Sequence, residues 1–245
     1  MFRVIFVMDI FNRNVVLAKG GVRENYRPVS DSSVICSSSD PVDILESVHP
    51  REVYIADLNV LQGKGPLETN ASIIREVSFR AKTMLDFGIA SLEDVDKALS
   101  IAQTAVIGTE TGTLAVIKEA ALRYPGKISV SIDIKHGKLL KQDPEIPQDP
   151  FEIVKLLNGL PLKDLLFLDL DRVGTASGFD SEFLRKLAEA SEHSVLLAGG
   201  VKGMDDLFAL ERIGVRGALV ATAIHSGSVP PEVMDMGLEM IKKGN

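Results

Sequence analysis

The sequence predicts an α/β fold: a (β/α)8 TIM barrel built from two homologous (βα)4 half-barrels, as one domain over residues 1–245. Three observations carry that expectation. Eight short runs are nearly continuously apolar, as parallel strands buried on both faces are. An amphipathic helical segment follows each run, and such alternation points to a parallel sheet closed by crossover helices. Blocks of sequence also recur in order at a nearly fixed offset, the mark of an internal repeat.

The apolar runs end near Met8, Ala56, Leu85, Ile107, Ile132, Leu168, Leu197 and Val220. The helical segments that follow them in turn are "PVDILESV", "NASIIREV", "SLEDVDKALSIA", "GTLAVIKEAALRY", "DPFEIVKLLNGL", "DSEFLRKLAEA", "GMDDLFALERIG" and "PPEVMDMGLEMIKKG". Ser91 precedes Asp94 at capping-box spacing, and Asp180-Ser181 opens another helix with capping residues. The Pro- and acid-rich tract "KQDPEIPQDP" reads as an extended loop on the active face, between the fifth strand and its helix. A length of 245 residues suits one such barrel, and no linker divides the chain.

In the repeat, "DFGIASLEDV" resembles "AGGVKGMDDL" and "YIADLN" resembles "LFLDLD". This sets Gly88 and Gly200, like Asp57 and Asp169, 112 positions apart. "MDIFNRNVV" resembles "IDIKHGKLL", with Asp9 and Asp133 124 positions apart, so one half carries a longer loop.

An apolar share of 45% and a charged share of 25% are those of an ordinary soluble globular protein. The net charge of −7 and the lack of a basic run predict no nucleic-acid partner. No run is long enough to span a bilayer, and "MFRVIFVMDI" is too short an apolar stretch for a signal peptide, so no membrane association is expected. The single cysteine, Cys36, cannot form an internal disulfide, which fits a cytoplasmic location. His49, His136, His193 and His225 share no ligand spacing, so no metal is expected, and no P-loop or Gly-x-Ser-x-Gly elbow appears. No cofactor is called for.

Barrels of this kind react at the C-terminal ends of their strands. Asp9 lies near the end of strand 1 and Asp133 near the end of strand 5, across the mouth from each other. Two opposed carboxylates suit an acid and a base on either side of one substrate. Asp57 and Asp169 end strands 2 and 6; they either complete a ring of catalytic carboxylates or cap the loops that follow. The turns at Gly88-Ile89-Ala90-Ser91 and Gly199-Gly200-Val201-Lys202 each open a helix N-terminus, where amides and dipole favour an anion. The next strands add Gly108-Thr109 beside the first turn and Ala221-Thr222 beside the second. A symmetric pair of such turns predicts a ligand with phosphate at both ends.

The constellation resembles the histidine-biosynthesis barrel family, which holds the ProFAR isomerase and the cyclase subunit of imidazole glycerol phosphate synthase. The segments that carry the resemblance are "MDIFNRNVV", "SIDIKHGK", "DLDRVGTASGFDSEF", "LAGGVKGMDDL" and "FGIASLEDV". It implies Asp9 and Asp133 as the acid–base pair and paired glycine turns holding the two phosphates of a ribotide. It also implies that Asp169 to Gly178, with Thr175, form the strand 6 mouth and a phosphate-side loop. A phosphorylated small molecule is the expected substrate, and a homo-oligomer or a docked glutaminase-like partner is left open.

This chain departs from the family pattern. Val173 stands where the family has an aspartate before Gly-Thr, no tryptophan is present, and Asp86-Phe87-Gly88 replaces a triple glycine. Ala221 replaces a glycine, and Leu17, with Lys19 nearby, stands where a basic residue is usual. Phe87 is expected to intrude on the first phosphate turn and weaken it. These changes imply a divergent paralogue, an acid–base isomerase or lyase of some other phosphorylated molecule. The ProFAR isomerase reaction itself and a non-catalytic binding barrel are the alternatives.

Overall fold

The computed structural model describes residues 1–18 and 26–238. Eight parallel strands are found among these residues: β1 (Arg3–Phe11), β2 (Glu52–Asp57), β3 (Lys82–Asp86), β4 (Thr104–Gly108), β5 (Ile128–Lys135), β6 (Asp164–Asp169), β7 (Ser194–Ala198) and β8 (Gly217–Val220). Each pairs with its successor, and β8 returns to β1 with Arg3 opposite Gly217, which closes the barrel. The helices between them are α1 (Pro41–Val48), α2 (Glu68–Arg80), α3 (Leu92–Leu99), α4 (Leu114–Arg123), α5 (Pro150–Leu157), α6 (Ser181–Ala190) and α7 (Met204–Arg212). After β8 comes α8 (Glu232–Met236), shorter than its sequence segment suggests; residues 239–245 lie outside the described part. Lys19 also lies outside it.

Local signals explain several element ends. Ser91 and Asp94 form the expected capping box on α3. Asp180 caps α6 by accepting the Phe183 amide, and Asp40 and Asp149 do the same for α1 and α5, each ahead of a proline in the first turn. Both β1 and β5 run on past the expected end into an antiparallel arm, Asn14–Leu17 on β1 and Lys138–Leu139 on β5. Each arm turns through two residues of positive φ, Asn12-Arg13 and His136-Gly137, the two-residue hairpin geometry.

Side-chain alternation sorts the strands into two layers. Ile5, Tyr54, Met84, Val106, Leu166, Leu196 and Leu219 point inward and form a small core inside the barrel. Phe6, Val53, Leu85, Ile107, Val130, Leu165 and Leu197 point outward into the larger core under the helices. At the N-terminal end of the barrel Arg3 bridges Glu52 at 2.9 Å and the buried Asp164 at 2.6 Å. No helix among the described residues is long and apolar enough to cross a membrane.

Candidate active site

A cavity open to solvent lies at the C-terminal ends of the strands and takes lining residues from all eight. The lining is apolar at Leu168, Leu170, Val173 and Leu219 and acidic at Asp9, Asp86, Glu110 and Asp133. No lysine, arginine or histidine is among the described lining residues.

Asp133 follows Ser129 and Ser131 on the inward face of β5, and all three are buried. The Ser131 hydroxyl donates to Asp133 Oδ1 at 2.5 Å, and the Glu110 amide donates to Oδ2 at 3.3 Å. The Asp133 amide in turn donates to Thr109 Oγ1 at 3.1 Å, which locks the backbone. Burial pushes the Asp133 carboxyl up to about 7, with the Asp86 and Glu110 charges adding to the rise and the hydrogen bonds resisting it. Asp133 is therefore poised to hold or release a proton near neutrality. Asp9, half-buried, lines the same cavity from β1.

Tyr54 and Asp86 form a second polar pair. The Tyr54 hydroxyl donates to Asp86 Oδ2 at 2.9 Å, while Asp86 Oδ1 accepts the Gly88 amide at 3.0 Å. Burial, and the Asp86, Asp133 and Asp9 carboxylates around it, hold the Tyr54 phenol well above its usual range, so it remains a donor.

At the other glycine turn, Gly199 and Gly200 adopt φ of 99° and 88°. A Cβ at Gly200 would come within 2.3 Å of the Gly178 carbonyl oxygen, so glycine is required for this close approach. The Gly178 amide donates to the Gly200 carbonyl at 2.9 Å, tucking Gly178 beneath the turn. Gly199, Gly200, Ala221 and Thr222 all line the cavity.

The structure thus brings Asp9, Asp133, Gly88, Gly108, Gly199, Gly200, Ala221 and Thr222 together around one cavity. Other expected site residues lie elsewhere. Asp57 is buried on the outward side of β2, capping the turn Leu58–Leu61 and accepting the Asn70 amide at 2.8 Å. Its neighbours Asn59 and Asn70 hold the hairpin turn at Asn12 and Arg13, so its place is in the scaffold and the expected carboxylate ring is not assembled. Asp169 also points away from the cavity and pairs with Arg172 at 2.9 Å. Thr175 is exposed and donates to the Arg172 carbonyl. Ser91 is spent on its capping box, and the Thr109 hydroxyl is buried against the Asp133 amide. Phe87 does not intrude on the first glycine turn: its ring is buried in the outer core, on the opposite side of the strand from Asp86.

Asp86, Tyr54, Glu110 and Tyr26 line the cavity although the sequence assigned them no role in the site. Alternation accounts for two of them once the structure gives the register: Asp86 lies two residues after inward Met84, and Tyr54 two before inward Ala56. Among the described residues no three His, Cys, Asp or Glu side chains are grouped to hold a metal ion.

Residues 3–230 match a family model described as histidine biosynthesis protein. An uncharacterized protein of Methanocaldococcus jannaschii is 34% identical over 232 residues, covering 92% of this chain and 94% of its own. A Synechococcus protein named 1-(5-phosphoribosyl)-5-((5-phosphoribosylamino)methylideneamino)imidazole-4-carboxamide isomerase is 30% identical over 186 residues, 72% of each chain. A Ruminiclostridium cellulolyticum protein of the same name is 29% identical over 214 residues, covering 82% of this chain and 88% of its own.

Proposed function

This chain belongs to the histidine biosynthesis protein family, and on that premise we propose that it is an acid–base isomerase or lyase of a phosphorylated small molecule. Asp133 serves as the acid and Asp9 as the base. The observation that carries the reading is that both carboxylates line one cavity, with Asp133 held near pKa 7 by burial. A carboxyl that keeps its proton near neutrality can donate it to a leaving or rearranging group, while Asp9 removes one from the other side. The Gly199-Gly200 turn and Thr222 hold the substrate phosphate, and the apolar wall of Leu168, Leu170 and Val173 packs the body of the molecule.

The test is the pair of variants Asp9→Asn and Asp133→Asn, assayed on the phosphorylated molecule that copurifies with the chain and is identified by mass spectrometry. Each should lose on the order of 10²- to 10⁴-fold in turnover. Unchanged turnover in both would sink the reading.

The names of the Synechococcus and Ruminiclostridium relatives favour a second reading, the ProFAR isomerase reaction itself. Growth of a histidine-requiring strain lacking that isomerase, when supplied with this chain, would support it. Absence of growth with soluble protein present would remove it.

A further inference from the structure

The two glycine turns occupy corresponding places in the barrel, but their donors are not equally open. At the first turn the Gly88 amide is taken by Asp86 at 3.0 Å, and the Ala90 and Ser91 amides by Asp94 at 3.3 and 3.1 Å. On the adjoining β4 loop the Thr109 amide donates to the Ser131 carbonyl, the Glu110 amide to Asp133 and the Thr111 hydroxyl to the Ile89 carbonyl. Three carboxylates, Asp86, Glu110 and Asp133, line this side of the cavity. At the second turn only the helix-side amide, that of Lys202, meets a carboxylate, Asp206 at 2.8 Å. The position matching Asp86 there is Ala198, which has no acceptor to offer Gly200.

We propose that Asp86 closes the anion site at Gly88, so that the cavity takes a ligand carrying one phosphate group and not two. The statement rests on the functional reading above for the site at Gly199-Gly200, and adds what lies at the far end. A phosphate at Gly88 would have to displace Asp86 from the amide and stand beside carboxylates that repel it. Tyr54 holds Asp86 in place from behind, and its phenol keeps the proton it donates. The ligand's other end is therefore uncharged or positive, and carries hydroxyl or amine donors for Asp86 and Glu110. Asp86 is the specificity-determining residue.

Inorganic phosphate provides the probe, with stoichiometry read by isothermal titration calorimetry. The full chain is compared with Asp86→Gly and with Asp86→Ala, which copies Ala198; circular dichroism checks that each variant is folded. One phosphate on the unaltered chain and two on either variant is the expected result. The same number on variant and unaltered chain, or two on the unaltered chain, overturns the proposal. No phosphate on the unaltered chain but one on a variant would uphold the role of Asp86 and remove the Gly199-Gly200 phosphate site from the functional reading. In the unaltered chain, where folding is not in question, phosphate should shift the amide resonances of Gly199 and Gly200 and leave that of Gly88 in place. A phosphate-dependent shift at Gly88 would likewise overturn it.

Discussion

Gly108 on β4 and Asp133 on β5 are so close that a Cβ at position 108 would lie 2.6 Å from Asp133 Oδ2. The glycine is a seat for the carboxylate. Gly108→Ala must push Asp133 off its hydrogen bonds to Ser131 and Glu110. The fold should survive at a cost of about 1–3 kcal/mol, the usual range for overpacking, while kcat/KM falls at least as far as a misplaced catalytic group implies, about 10²-fold. Steady-state kinetics beside a thermal melt would separate the two effects; full activity would show that the seat does not matter.

Asp133 should also make stability depend on pH. Its carboxyl sits at about 7 in the folded chain against an ordinary value of 3.8, so between these values the unfolded chain has released a proton that the folded chain retains. Stability therefore falls as pH rises from about 4 to about 7 and levels off above. At about 1.36 kcal/mol per pKa unit the total is on the order of 4 kcal/mol. Asp133→Asn removes the titration, so its stability advantage over the unaltered chain should be about 3 kcal/mol larger at pH 8 than at pH 5. Urea denaturation at the two pH values checks this, and an equal difference at both would contradict it.

Tyr54→Phe deletes the buried hydroxyl that holds Asp86. The loss should be about 1–3 kcal/mol, because Asp86 loses a hydrogen bond to its charged carboxylate in a largely desolvated place. In the phosphate titration this variant should resemble the unaltered chain, since Asp86 still holds the Gly88 amide.

Asp57 and Asp169 should separate from Asp9 and Asp133 in kinetics. Asp57→Asn disturbs the cap of the turn at Leu58 and the contact to Asn70, so it should lower the melting temperature and leave kcat within about threefold, a difference of less than 1 kcal/mol. Asp169→Asn breaks only a half-exposed pair with Arg172 and should do the same more weakly. A loss of 10²-fold or more in either variant would return that aspartate to the catalytic machinery.

The barrel was legible in the sequence because buried parallel strands and capped amphipathic helices each leave their own pattern. PVDILESV is a helix over the very residues expected, and Ser91 and Asp94 form the cap that their spacing implies. The direction of each strand-end carboxylate was not legible for the same reason. In a strand apolar on both faces the alternation that marks inside from outside is erased. Asp57 and Asp169 sit one residue past inward Ala56 and Leu168 and so turn outward; Asp86, two residues past inward Met84, turns in. The same one-residue step sends Phe87 into the outer core. The hairpin arm on β5 was not legible because His136-Gly137 lacks the Asn-Gly signature of such turns.

The most direct measurement is the pH profile of kcat/KM for the copurifying phosphorylated ligand, on the unaltered chain and on Asp133→Asn. With Asp133 as the acid, kcat/KM of the unaltered chain should hold level below neutrality and fall tenfold per unit above a pKa of about 7. Asp133→Asn should run 10²- to 10⁴-fold lower and lack that limb. A variant that keeps both the rate and the limb would contradict the assignment of Asp133 as the proton donor.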